Sequence, residues 1–290
     1  SDLNVKALSI ANISRKALDS IDAIIISASL VNGFAIIGKY SNYTLIVSLV
    51  NSLFTMASSA IVPSLGNFIE VEGREKSLKL YDTMNLIFTW MYGWCFVCLL
   101  VLLNPFIGGI WISEEWTLSN LLVFLISINF LINGMDFTAM KYIQAAGLYW
   151  QVRYRYIISA ILNIILSILF GVVFKWELEG IVFATSIALI GMTIRDPYVV
   201  FKYMFERSSK EKYFEYIIRI FVIVFTGLFT LLICNLIAAE YNLFNFVIRA
   251  FMCLIIPNAL WIMMMHRTRL FRDTVDMLRL YTFKIIKNKS

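Results

Sequence analysis

The 290-residue chain reads as an all-α integral membrane protein of about eight transmembrane helices, on three observations. It is 60% hydrophobic and only 15% charged, where a soluble domain averages roughly 25% charged. Its apolar residues collect in runs of about 20, the length that crosses a bilayer as a helix. Its basic residues cluster in every second gap between those runs.

Taken in order, the first run covers Val5 to Phe34 and the second Ile37 to Ile61, ending at Val62-Pro63 before a charged loop from Glu70 to Lys79. The third runs from Asp82 to Leu103 and stops at Asn104-Pro105, where proline interrupts the hydrogen-bond ladder. The fourth runs from Leu118 to Gln144, with Gly147 marking the break after it, and the fifth from Val152 to Phe174. Gly180 to Tyr203, Tyr216 to Ala238 and Leu243 to Met265 complete the set. The loops between them are too short to hold another domain.

With the N-terminus in the cytoplasm, alternation gives one side nearly all the basic residues, from Lys6, Arg15 and Lys16 to the seven between Arg267 and Lys289. The other side keeps Lys39, Lys175 and Arg249. So uneven a split fits an even number of spans with both ends cytoplasmic. Trp111, Trp116 and Trp176 fall at the outer boundary, where interfacial aromatics belong. The net charge of +6 is spread over loops, not gathered in one stripe, so nucleic acid is not expected as a partner. After His266 the tail places Phe271, Val275 and Leu278 on one face with arginines and lysines on the others. It reads either as an amphipathic helix on the inner leaflet or as a solvated basic tail.

The four cysteines lie inside apolar runs, and the Cys95/Cys98 pair lacks the exposed, electropositive setting of a redox motif. No cleavable signal is visible at the start. The chain has no initiator methionine and begins almost in a membrane-length run, so a fragment is expected, with membrane-inserting sequence upstream. His266 is the only histidine, and no phosphate loop, Ser-His-Asp set or paired catalytic carboxylates occur. Neither catalysis nor a metal or other cofactor is expected.

Polar residues inside the runs carry the functional signal, because lipid tails offer them no hydrogen bonds. Asn12, Arg15, Asp19, Asp22 and Ser29 share one face of the first helix, and Asp22 lies about 10 Å deeper than Arg15. Ser41, Thr44, Ser48, Asn51, Thr55 and Ser58 form a stripe along the second. The fourth carries Asn129, Asn133 and Asp136, and the fifth Arg155, Ser159, Asn163 and Ser167. Each stripe either lines a wet cavity or glues helices together. Arg15 either pairs with Asp19 or faces the cavity, and Asp136 either bridges to Lys141, reaches interfacial water or lines it. Arg249 is expected to snorkel outward. The candidate cavity set is Arg15, Lys16, Asp19, Asp22, Ser29, Ser48, Asn51, Thr55, Asn133, Asp136 and Asn163.

Three stretches, in order, carry a family resemblance. They are Asp22-Ala-Ile-Ile-Ile-Ser with Gly38-Lys-Tyr-Ser-Asn-Tyr43; Pro63-Ser-Leu-Gly-Asn67 with Glu72-Gly73 and a basic loop; and Gln144-Ala-Ala-Gly147 with Arg153-Tyr-Arg155, Asn163, Ser167 and Gly180-Ile-Val-Phe-Ala-Thr185. Together they resemble the polysaccharide and O-antigen flippases of the multidrug/oligosaccharidyl-lipid/polysaccharide exporter superfamily, over most of the chain up to about Tyr203.

The resemblance implies two six-helix lobes, with residues 1–205 as the second lobe, 206–265 as two additional C-terminal helices and 266–290 as a basic cytoplasmic tail. It implies alternating-access transport of an undecaprenyl-diphosphate-linked oligosaccharide across the bacterial inner membrane for surface polysaccharide assembly. The implied partners are membrane lipid, that glycan and the polysaccharide polymerase machinery. Arg15 and Lys16 would attract the diphosphate, the serines and asparagines would bond sugars, and Asp22 would couple to an ion or balance charge. A drug/cation antiporter of the same superfamily would want a mid-membrane acidic site. A membrane glycan polymerase would want a large extracytoplasmic loop, and a non-transporting scaffold would want neither.

Overall fold

The computed structural model describes residues 24–26 and 33–276, so the predicted first span lies almost wholly outside the described residues. Every element among them is helical. The first, α1 (Gly33–Phe106), has 74 residues. Straight, it would be about 110 Å long, several times the roughly 30 Å hydrocarbon core of a bilayer. It is not straight. Gly73 breaks it with φ 77° and ψ 176°, a conformation open to glycine and costly to residues with a Cβ.

Contacts show what the break does. Tyr43 donates to the Asn104 side chain, and the Phe54 ring stacks on Tyr92 with centroids 4.0 Å apart. The members of each pair lie at nearly equal separations from Gly73, one before and one after it. The two halves therefore run antiparallel, and α1 is a helical hairpin turning at a single residue. The charged loop expected over Glu70 to Lys79 is helical on both sides of that residue.

Neither proline expected to end a helix does so: α1 passes through Pro63 and Pro105 and ends in a π turn, Ile107–Trp111. Proline removes one backbone hydrogen bond. Ending the helix within an apolar segment would orphan several groups that lipid cannot satisfy.

The remaining elements are α2 (Asn120–Ala145), the short α3 (Tyr149–Val152), α4 (Arg155–Ser167), α5 (Glu177–Val200), α6 (Lys210–Ile237) and α7 (Leu243–Met265). Ser119 caps α2, its Oγ accepting from the Leu122 amide at 3.2 Å. Helices α4 and α5 each run on into a π turn, Ile168–Val173 and Phe201–Phe205. Six helices among the described residues are long and apolar enough to cross a membrane, the first being the hairpin.

Helix α2 is the centre of the bundle. Its Phe130 and Phe137 meet Phe54 from one half of α1 and Tyr92 from the other. Its opposite side packs on α5, which in turn carries α4, while α6 and α7 pack on α1 and on each other. Connections gather at two ends. Arg74 beside the hairpin turn pairs with Glu206, and Tyr142 donates to the Ser77 carbonyl. At the other end Gly38 lies 3.7 Å from the Trp116 ring, were it to carry a Cβ, and Ser119 bonds Glu179. The basic segments around Gly73, Gly147 and residues 206–209 thus share one end.

Helix α4 is turned inside out relative to a helix of a soluble protein. Its buried residues are Arg155, Ser159, Asn163 and Ser167, while Ile158, Ile161, Ile164 and Ile165 are exposed. Burying the polar stripe and exposing isoleucine is favourable only where the surroundings are hydrocarbon.

Two glycine substitutions separate backbone from packing. A Cβ at Gly73 meets nothing within 4 Å, whereas one at Gly180 would stand 2.7 Å from the Phe170 carbonyl carbon and 2.8 Å from the Gly171 nitrogen. Gly73→Ala is expected to cost about 1–3 kcal/mol through strain alone. Gly180→Ala should cost a similar amount by prising α4 from α5. Thermal unfolding in detergent checks both, and a cysteine pair across α4 and α5 should lose cross-linking only in the second.

Candidate functional site

Three helices bring ionisable side chains together at the basic end of the bundle. Arg155, at the start of α4, makes an ion pair with Asp196 of α5 and lies 3.6 Å from an Asp136 carboxylate oxygen on α2. All three are buried: Asp196 is 0% exposed, Arg155 5% and Asp136 8%. The guanidinium also donates to the Tyr156 hydroxyl and lies 4.4 Å from the centroid of that ring. Asp136 Oδ1 and both Asp196 oxygens are buried without a hydrogen-bond partner, so the Asp196 charge is met by the ion pair alone. Asp136 therefore faces Arg155, a partner on another helix that none of its sequence-based alternatives named. Lys141 lies over the Phe137 ring at 4.8 Å and 3.5 Å from Gln144 Oε1.

A second group joins α1 to α6 at the same end. Lys212 reaches Asp82 at 2.9 Å and Glu215 at 3.2 Å, and Arg219 reaches Glu215 at 3.2 Å. Tyr81 and Tyr216 share a hydrogen bond of 2.9 Å beside them. Nearer the solvent, Arg74 holds Glu206 by two contacts of 2.6 Å, and its guanidinium keeps the Glu206 carboxyl below its ordinary range. Both partners are exposed, so this pair closes the end of the bundle while adding little stability.

Arg249 sits at the opposite end and does not reach water. It is 2% exposed. Its guanidinium donates to the Ala238 carbonyl at 2.9 Å and Asn235 Oδ1 at 2.9 Å, with the Val101 carbonyl at 3.5 Å. Ala238 ends α6, so a cation from α7 satisfies carbonyl groups at the negative end of a neighbouring helix dipole. The snorkelling expected of this residue is not what the structure shows, since its charge is met inside the protein.

The residues expected in a cavity divide by helix. Arg15, Lys16, Asp19, Asp22 and Ser29 lie outside the described residues. On the first half of α1, Ser48 and Thr55 are exposed and Asn51 is half-buried. That half-helix buries a narrow stripe, Tyr43, Phe54, Ser58 and Leu65, and leaves the rest open. The exposed Thr55 hydroxyl donates to the Asn51 carbonyl of its own helix at 3.0 Å. Asn133 is exposed between the buried Ile132 and Gly134 of α2. Asp136 belongs to the ion cluster. Asn163 is buried between α4 and α5, donating to Thr185 Oγ1 at 3.1 Å and accepting from Ser167 at 2.7 Å.

Sequence reasoning passed over Asp196 altogether and saw Arg155 as part of a stripe, not as the centre of a charge cluster. A signal for Asp196 existed: a carboxylate followed by Pro197 inside an otherwise apolar, membrane-length run. Compared with known families, curated proteins and solved structures, the chain matches none.

Removing one partner of a buried ion pair strands the other, at a typical cost of about 3–5 kcal/mol. Arg155→Met is therefore expected to lower unfolding stability by about that much, since two carboxylates lose their cation. Adding Asp196→Asn to it should recover part of the loss. Additive losses in a double-mutant cycle, read by thermal unfolding, would contradict the assigned pairing.

Proposed function

We propose that this chain forms the second lobe of a lipid-linked oligosaccharide flippase, with α6 and α7 as its two additional C-terminal helices. In this reading eight spans cross the bacterial inner membrane, the first of them in the residues before Gly33. The end holding Gly73, Gly147 and residues 206–209 faces the cytoplasm, as does each end of the chain. The substrate class is an undecaprenyl-diphosphate-linked glycan, moved to the outer leaflet by rocking of two lobes about a polar cavity.

One observation carries the reading. Ser48, Asn51 and Thr55 of α1 and Asn133 of α2 lie within helices long and apolar enough to span a bilayer, without being fully buried in the described bundle. Groups of this kind on a spanning helix belong against water or another protein surface, not against lipid. A cavity between lobes supplies both. Sugars offer many hydroxyls, and hydroxyl and amide side chains match them in donors and acceptors. Arg15 and Lys16 would draw in the diphosphate at the cytoplasmic mouth. Asp136 and Asn163, engaged with other helices, hold the lobe together in this scheme and do not touch the sugar.

The test is complementation of surface-glycan assembly by the full-length protein. Asn133→Leu combined with Ser48→Ala and Thr55→Val is expected to abolish surface glycan while membrane abundance stays unchanged. Normal glycan in that variant, or efflux of an organic cation with no glycan phenotype, would refute the proposal.

A further inference from the structure

The bases at the Gly73 end are not equivalent. Arg74, Lys76, Arg207 and Lys212 each have a carboxylate within reach, at Glu206, Glu72, Glu75 and Asp82. Arg153, Arg195 and Lys202 form no ion pair with any described carboxylate, yet all three are held in place. Arg153 stacks between two rings, 3.7 Å from the Trp150 centroid and 4.5 Å from Tyr154, and donates to the Trp150 carbonyl at 2.6 Å. Its Nε is buried without a hydrogen-bond partner. Arg195 donates to the adjacent carbonyl, Gln151, at 3.0 Å. Lys202 lies two turns further along the same face of the α5 helix, bonded to the Tyr198 hydroxyl at 3.1 Å.

From this placement we propose that the surface formed by α3 and the end of α5 binds the phosphodiester headgroup of an anionic membrane lipid. Two guanidinium groups anchored on neighbouring carbonyls each retain donors that a phosphate oxygen accepts. Trp150, Tyr154 and Tyr198 are exposed beside them, at the depth where indole and phenol rings lie among headgroups. No described carboxylate compensates the charge here, and rings and backbone carbonyls hold both guanidinium groups in place, so the patch presents fixed donors to an anion where the other basic residues of this end are either paired or unanchored. The occupant is a lipid and not free phosphate because the patch stands where membrane-length helices end and its flanks are apolar: Ile158 and Ile194 are exposed on either side. The inference does not depend on the transport reading.

Native mass spectrometry of the full chain, released from a neutral detergent, tests it with phosphatidylglycerol, phosphatidylcholine of the same tails, and inorganic phosphate as probes. Phosphatidylglycerol is expected to be retained in preference to phosphatidylcholine, and inorganic phosphate should not displace it. Arg153→Gln with Arg195→Gln should lower that retention about thirtyfold, given about 1 kcal/mol for each base near an anionic surface. Arg74→Gln with Arg207→Gln, at the compensated part of the same end, should leave it unchanged. Lys202→Gln alters one exposed amine, so its expected loss of about fivefold does not depend on how the double variant folds. Equal retention in all variants, equal loss in both double variants, or displacement by inorganic phosphate would each overturn the proposal.

Discussion

Hydrocarbon offers a polar group nothing to bond, and this constraint arranges the molecule. It is clearest in α4, where Arg155, Ser159, Asn163 and Ser167 turn inward and the isoleucines turn out. The same rule explains why Ser52, exposed on α1, bonds a carbonyl of its own helix. It explains Arg249 too, a cation at the end opposite Gly73 whose guanidinium is met by carbonyls and an amide oxygen in place of water. Interior packing follows from where these polar contacts must be made, with aromatic rings from α1 and α2 filling the space between.

The distribution of charge is uneven along the membrane normal. Asp136, Asp196 and Arg155, and likewise Asp82, Lys212, Glu215 and Arg219, all lie toward the end holding Gly73. The opposite end is tied by the neutral Tyr43–Asn104 hydrogen bond, by Ser119 donating to the Glu179 carboxylate, and by Arg249 on two backbone oxygens and an amide oxygen. One end is thus held by clustered ion pairs, the other by hydrogen bonds and one buried cation on carbonyl oxygens, and breaking either set strands polar groups.

Much of this was legible in the sequence, and the misses have physical causes. Hydropathy located α2, α5, α6 and α7 within a few residues, and the Asn120–Ala145 and Leu243–Met265 helices nearly to the residue, because apolar length is what a bilayer demands. The stops expected at Pro63 and Pro105 failed because a proline costs one bond, less than the several that a broken helix would orphan. The loop over Glu70 to Lys79 collapsed to Gly73, since one positive-φ glycine reverses the chain without a loop. The stripe on α4 was visible from its four-residue spacing, but which helix it met was not, and so Asp196 went unseen. A carboxylate on a different helix enters an argument from periodicity only when the packing order is known.

The dependence of α4 on α5 has a mechanical side. Their connection is tight, with Gly180 against the backbone of Phe170 and Gly171, and among the long helices α4 packs on α5. The two therefore form one rod pair, fastened to α2 by the Arg155–Asp136 contact, by the Thr193 hydroxyl on the Ile132 carbonyl and by the Asn129 bond to the Val182 carbonyl. A load placed on α4 reaches α2 through α5 along the whole depth of the bundle, and not through one joint.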